Sequence, residues 1–174
     1  DMAAGVEIFE KYNLSKIKRV APGGDERQDS VYNGLRLLKD DAGLVIIHDG
    51  ARPLIDRATV MATINSITGF DGAVVGVPVK DTIKEAEKNI VKRTLKRETL
   101  WAIQTPQVFR YDSIMNAYDN AISENYYSTD DSALIERMGG TVNIVMGSYE
   151  NIKITTPEDM HIAEFLLRQR IGII

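Results

Sequence analysis

The sequence predicts an α/β fold, a sheet whose strands are joined by helical crossovers. Three observations carry that reading. Two continuous apolar runs, Leu44-Val45-Ile46-Ile47 and Ala73-Val74-Val75-Gly76-Val77, are bounded by turn residues, as strands buried on both faces are. Segments with helical apolar stripes separate the runs, and a strong helix start at Thr156 follows the last strands. Strands alternating with helices of this length indicate crossover connections.

Taken in order, Ile17 to Ala21 reads as a short strand broken by Pro22-Gly23-Gly24. Val31, Leu35 and Leu38 then form one stripe of a helix. The run from Leu44 to Ile47 reads as a parallel strand, and Asp56 as the cap of a helix with Val60, Ile64 and Ile67 on one face. Pro78 stops the second buried strand. From Lys80 to about Leu100 charges alternate with single apolar residues, and two extended stretches flank Glu87-Lys88-Asn89, which reads as a projecting β-hairpin arm. Asp112 is expected to cap a helix carrying Met115, Tyr118 and Ile122, and a short helix is expected from near Thr129 to Gly139-Gly140. Val142 to Met146 and Ile152 to Ile154 read as late strands. Thr156-Pro157-Glu158-Asp159 supplies an N-cap hydroxyl, Pro at the first helical position and acids in the first turn. With no repeat, low-complexity tract or linker, residues 1–174 are expected to form one domain with an arm at about 80–100.

Composition narrows the function. The chain has 174 residues, 44% of them hydrophobic and 26% charged, the profile of a globular protein. A net charge of -4 argues against broad nucleic-acid binding. No apolar run is long enough to span a bilayer, and the first residues lack the pattern of a secretory signal. The absence of cysteine excludes a disulfide framework and thiolate metal sites, and fits a reducing, cytoplasmic setting. The two histidines, His48 and His161, are far apart, so a two-histidine metal site is not expected. No nucleophile elbow is present, which leaves chemistry done by positioning and charge.

Ligands of open α/β sheets bind beyond the carboxyl ends of the strands. Three segments fall there. "PGGDERQDS" combines glycines with polar groups at a helix start, either a ligand loop or a capped polar turn. "HDGARPLI" places Asp49 at a strand end, where it could hold a ribose hydroxyl or a divalent metal, or form a structural pair with Arg52. In "SYENIKITTPEDM", alternation sets Lys153 opposite Ile152 and Ile154, toward solvent or into a site.

The stretches "GGDERQDSVYNGL", "VIIHDGARPLI", "GAVVGVPVKDTIK", "LWAIQTPQVF", "TDDSALIERMGG" and "NIKITTPEDMHIAEFLL" occur in one order and cover nearly everything from about Ile17 onward. Together they resemble the 2-C-methyl-D-erythritol 4-phosphate cytidylyltransferases of the non-mevalonate isoprenoid pathway. The resemblance implies a Rossmann-like nucleotidyltransferase sheet with helices on both faces, CTP as donor, pyrophosphate as leaving group, Mg²⁺ dependence, and a homodimer built through the arm. By position, Gly24, Asp25 and Ser30 match cytidine-binding residues, with Asp49 and Gly50 near the ribose and phosphates and Asp49 the metal candidate. Thr82, Arg97, Thr105 and Lys153 match residues that bind the methylerythritol phosphate. Arg97 and Lys153 would position its phosphate for attack, and Thr82 and Arg97 would serve the neighbour's site. Gly50 departs from the family's common Ala. Nothing in residues 1–16 matches the family's glycine-rich N-terminal loop, so the 174 residues alone are expected to lack the first strand and that loop, to bind weakly and not to turn over. Ribitol-5-phosphate cytidylyltransferases share the glycine-rich, "HD" and "NIKIT" elements and stand as the alternative acceptor class. A non-catalytic nucleotide-binding or dimerisation module is the alternative from outside enzymology.

Overall fold

The computed structural model describes residues 2–38 and 42–172. Its body is a four-stranded sheet in the order β1 (Leu44–Ile47), β5 (Trp101–Arg110), β2 (Gly72–Pro78), β6 (Val142–Met146). β2 and β6 pair in parallel, and β5 runs antiparallel to both of its neighbours. β1, β2 and β6 therefore point the same way, and their carboxyl ends share one rim of the sheet.

Alternation along the strands divides two cores. Val45, Ile47, Val74 and Phe109 face one side and pack on α2 (Arg27–Leu35), α4 (Tyr111–Ser123) and α5 (Ser132–Arg137), where Leu35, Ile114, Tyr118 and Leu134 close the layer. Ala73 and Val108 face the other side and meet Ile64 and Ile67 from α3 (Arg57–Asn65) and the turn that follows it. Helices thus cover both faces. β2 is buried along its whole length up to Pro78, which ends it at the rim.

Local chemistry sets most boundaries as expected. The Asp56 carboxylate accepts the Thr59 N–H at 2.7 Å and caps α3. α5 ends where Gly139, at φ +79°, turns the chain so that the Gly139 and Gly140 N–H groups reach the Glu136 and Ile135 carbonyls. α6 (Pro157–Arg170) starts with a capping box between Thr156 and Asp159. α1 occupies Met2–Lys11. The arm is a separate two-stranded sheet of β3 (Lys84–Glu87) and β4 (Ile90–Thr94). It reverses at Lys88-Asn89, with φ of 49° and 65°, and every residue of both strands is exposed.

Five expectations need correction. The chain has a strand no periodicity announced: β5, one of the two inner strands. Its middle, Gln104-Thr105-Pro106-Gln107, is buried yet polar, and proline argues against a central strand. The ladder accommodates it by shifting register, with Val74 opposite Gln107 but Gly76 opposite Ile103. β1 is not a parallel strand buried on both faces; its one partner among the described residues is antiparallel, and Leu44 and Ile46 are exposed. Ile17 to Ala21 and Ile152 to Ile154 form no ladder; Ile154 makes one backbone bond, to Ala51 O at 2.8 Å. α2 stops at Leu35, leaving Leu38 outside it and exposed. Arg110, not Asp112, stands at the N-cap of α4, and its buried face is Ile114, Ala117, Tyr118 and Ala121, with Ile122 turned outward.

The Phe109 ring, 0% exposed, sits where β5 meets the larger core. Phe109→Ala is expected to cost about 3–5 kcal/mol of unfolding free energy, the usual cost of deleting a buried aromatic ring, measured by urea denaturation.

Candidate active site

The polar bulge of β5 is the floor of a cavity of about 150 Å³ at the carboxyl rim. Arg27 enters it from the first turn of α2, Asp49 and Arg52 from the turn after β1, Thr105 and Gln107 from β5, and Lys153 from the segment before α6. Larger grooves, of about 410 and 460 Å³, run along α1 and beside β1; the second is lined mostly by apolar residues, and the first mixes apolar residues with Glu10, Lys18 and Arg19, which no salt bridge joins to one another among the described residues. Chemistry converges on the smaller space.

Asp49 is its centre. Lys153 Nζ lies 3.1 Å from Oδ2, Arg52 Nε 3.5 Å from Oδ2 and Arg27 Nε 3.8 Å from Oδ1. Burial pushes the Asp49 carboxyl up, but the hydrogen bond and charge of Lys153, joined by Arg27 and Arg52, outweigh it and hold the pKa below the ordinary aspartate value. The backbone here is fixed by a relay. Arg52 O can only accept, so His48 Nε2 donates to it at 3.2 Å; His48 Nδ1 then accepts from the Thr105 hydroxyl at 3.0 Å, whose oxygen accepts the Asp49 N–H at 3.0 Å. His48 is therefore a hydrogen-bonded residue just past the end of β1.

Arg27 is anchored from behind. Both its terminal nitrogens meet the Asp131 carboxylate, at 3.0 and 2.7 Å, and the Tyr118 hydroxyl donates to the same carboxylate. Asp131 is 1% exposed, and these contacts compensate its buried charge. Gln107 completes the wall, donating to Asp130 at 3.0 Å and accepting the Ser132 N–H at 3.2 Å.

The residues singled out from the sequence divide into four groups. Asp49, Thr105 and Lys153 come together, and the Lys153 side chain, 43% exposed, bridges solvent and cavity. Gly24, Asp25 and Ser30 lie on the turn into α2: the Gly24 N–H donates to Ser30 Oγ at 2.9 Å, and Asp25 is exposed. A Cβ on Gly24 would come within 2.2 Å of the Asp29 Cβ, so packing on α2 already requires glycine there. Gly50 is exposed beside Asp49. Thr82 and Arg97 are exposed at the base of the arm, away from the cavity lining, and Arg97 Nη1 donates to Lys80 O at 2.6 Å. Sequence reasoning passed over Gln104, Gln107 and Asp130, and gave Arg27 no separate role. Their signal was there: polar residues inside an otherwise apolar run ending in Val108-Phe109, and adjacent acids at a helix start.

A family model described as 2-C-methyl-D-erythritol 4-phosphate cytidylyltransferase matches residues 3–169. The chain belongs to that family. It is 51% identical over 166 residues to the cytidylyltransferase of that name from Pelotomaculum thermopropionicum, covering 95% of this chain and 70% of the relative. It is 53% identical over 160 residues to that of Clostridioides difficile, covering 92% and 67%. Among solved structures, 4-diphosphocytidyl-2C-methyl-D-erythritol synthase from Anaerococcus prevotii superposes with a TM-score of 0.84 at 33% identity, over 93% of this chain and 77% of that one. The cytidylyltransferase of Thermus thermophilus gives 0.77 at 34% identity, over 84% and 71%. The fold is accordingly the Rossmann-like nucleotidyltransferase fold of this cytidylyltransferase family.

Because the folded-state pKa of Asp49 is depressed, its contribution to stability is full above the unfolded pKa and is lost as pH falls through the folded value. In this family member, Asp49→Asn should be destabilising at pH 7, and the difference from wild type should shrink below the ordinary aspartate range. Denaturant midpoints measured from pH 7 to pH 2 check this; a constant difference would refute it.

Proposed function

We propose that the protein transfers a cytidylyl group from CTP to 2-C-methyl-D-erythritol 4-phosphate, releasing pyrophosphate, in non-mevalonate isoprenoid precursor synthesis. The observation that carries the reading is the convergence of Lys153, Arg52 and Arg27 on Asp49 over the hydroxyl of Thr105. An oxygen of the acceptor phosphate attacks the α-phosphorus of CTP, the bond to the β-phosphate bridging oxygen breaks, and pyrophosphate leaves with the electron pair. No protein nucleophile takes part. The protein's work is to hold two anions in line and to stabilise charge on the transferring phosphorus.

Lys153 suits the acceptor phosphate: it is a point charge on a flexible stem, half in solvent, and its contact with Asp49 can be exchanged for a stronger anion. Thr105 lines the same cavity, and its hydroxyl would donate to the phosphate by exchanging its bond to His48 Nδ1. Gly24, Asp25 and Ser30 are proposed to receive the cytosine and Gly50 to lie near the ribose and phosphates, with Thr82 and Arg97 reaching the acceptor of a neighbouring protomer. Asp49 is the proposed Mg²⁺ ligand. No group of three or more His, Cys, Asp or Glu side chains forms a metal site among the described residues, and one carboxylate sharing the ion with phosphate oxygens is an arrangement Mg²⁺ adopts. When bound there, the ion would neutralise charge on the phosphates.

The protein is further proposed to work in the cytoplasm as a homodimer joined through the arm; no helix among the described residues is long and apolar enough to cross a membrane. Ile90 and Val91 are 67% and 56% exposed on a hairpin that cannot bury them on itself, and a two-fold partner would.

In a version that carries the family's N-terminal glycine-rich loop, a pyrophosphate-release assay with CTP and Mg²⁺ is expected to respond to methylerythritol phosphate and not to ribitol 5-phosphate, and to fail with ATP in place of CTP. Lys153→Ala should lower turnover by about a hundredfold, the scale of losing one charge-stabilising donor; unchanged kinetics would return Lys153 to a surface role. Light scattering should report a dimer at micromolar concentration, and a monomer would count against the arm as an interface.

A further inference from the structure

Three segments must hold register for Lys153, Thr105 and Arg52 to face one another, and all three meet at a single buried residue. Asn151 is 2% exposed. Its Nδ2 donates to Gln104 Oε1 at 3.1 Å and to Thr105 O at 3.0 Å. Its main-chain carbonyl accepts Arg52 Nη1 at 2.7 Å, and its main-chain N–H closes the turn onto Ser148 O at 3.1 Å. Gln104 Nε2 donates to Ser148 O at 2.9 Å, so the β5 bulge and the turn are joined twice. Gly147 shows how tightly this turn lies on the sheet: a Cβ there would come within 2.5 Å of Val75 Cγ1 and 2.7 Å of Gln104 Oε1.

The direction of the network is determined by its ends. Thr105 O and Ser148 O can only accept, so Asn151 must present its NH₂ to Thr105, and Gln104 must present oxygen to Asn151 and NH₂ to Ser148. The arrangement has one polarity, and a carboxylate in place of either amide would set oxygen against oxygen.

Resting on the cytidylyl-transfer reading above, we infer that Asn151 is a positioning residue for the acceptor side of the reaction. It touches neither substrate. Its side chain sets the distance between Lys153, two residues along the chain, and Thr105, whose carbonyl it holds, while the Arg52 bond to its main-chain carbonyl does not depend on the side chain. The Gly24–Ser30 turn, proposed to receive the nucleoside, makes none of these contacts. The Asn151 side chain therefore governs acceptor alignment and makes no contact with the turn proposed to receive the nucleoside.

The test is steady-state kinetics of Asn151→Ala and the near-isosteric Asn151→Asp in the full-length protein, each variant's fold being checked by circular dichroism. Both should raise the KM for methylerythritol phosphate about tenfold and lower kcat about tenfold or more, while the KM for CTP moves less than about twofold, since a small misplacement of a reacting group is costly. Wild-type parameters in either folded variant would overturn the proposal. So would equal changes in the two KM values, or failure of both variants to fold, either of which would make Asn151 a stability residue. A wild-type protein that forms no product with methylerythritol phosphate would instead sink the functional reading, and the inference with it.

Discussion

The structure depends on how it satisfies a polar stretch buried at the centre of its sheet. Gln104, Thr105 and Gln107 are 8%, 4% and 1% exposed on a strand flanked on both sides. A buried amide or hydroxyl left unpaired costs about 1–3 kcal/mol, so each must find partners. Those partners lie on the turns after β1 and β6 and at the start of α5: the Asp49 N–H, Ser148 O, the Asn151 amide, Asp130 and the Ser132 N–H. The need to satisfy β5 thereby draws the site's loops onto the rim and holds them there.

A second constraint works from behind the site. Asp131 is fully buried and would be intolerable unpaired, yet it takes both terminal nitrogens of Arg27 and the Tyr118 hydroxyl. That joins α2, α4 and α5 into one layer and leaves the Arg27 Nε facing Asp49. Gln28 adds a parallel tie, exchanging hydrogen bonds with Tyr126 O and the Ser128 N–H at 2.9 Å each. Core packing and site electrostatics thus share residues, and a change in one is felt in the other.

The arm obeys different physics. Its nine strand residues are all exposed, and its ordered features are local: a positive-φ reversal at Lys88-Asn89 and cross-strand pairs such as Arg93 Nε with Glu85 Oε2 at 2.7 Å. Its base is tied to the site side of the domain, with Lys80 Nζ 3.4 Å from the centre of the Tyr149 ring and the Tyr149 hydroxyl donating to Pro78 O at 2.7 Å. Tyr149 belongs to the same turn as Asn151, so the root of the arm and the floor of the cavity are mechanically continuous.

By itself the sequence determined the features governed by neighbours along the chain. The apolar runs of β1 and β2, the Asp56 and Thr156 caps, the glycine stop of α5 and the hairpin of the arm all rest on residues within a few positions of one another. The ordered motifs determined the family as well, because whole stretches from "GGDERQDSVYNGL" to "NIKITTPEDMHIAEFLL" carry its pattern. Only the tertiary structure decided that Gln104 to Gln107 belong to an inner strand, since their burial depends on acceptors and donors more than twenty residues away. Only it decided that β1 pairs antiparallel, because strand direction is a property of the partner. The same holds for the site: Asp49 was visible at a strand end, Lys153 between two isoleucines and Thr105 through the family resemblance, but their meeting with Arg27 and Arg52 over a shared carboxylate is long-range electrostatics, which no local pattern encodes.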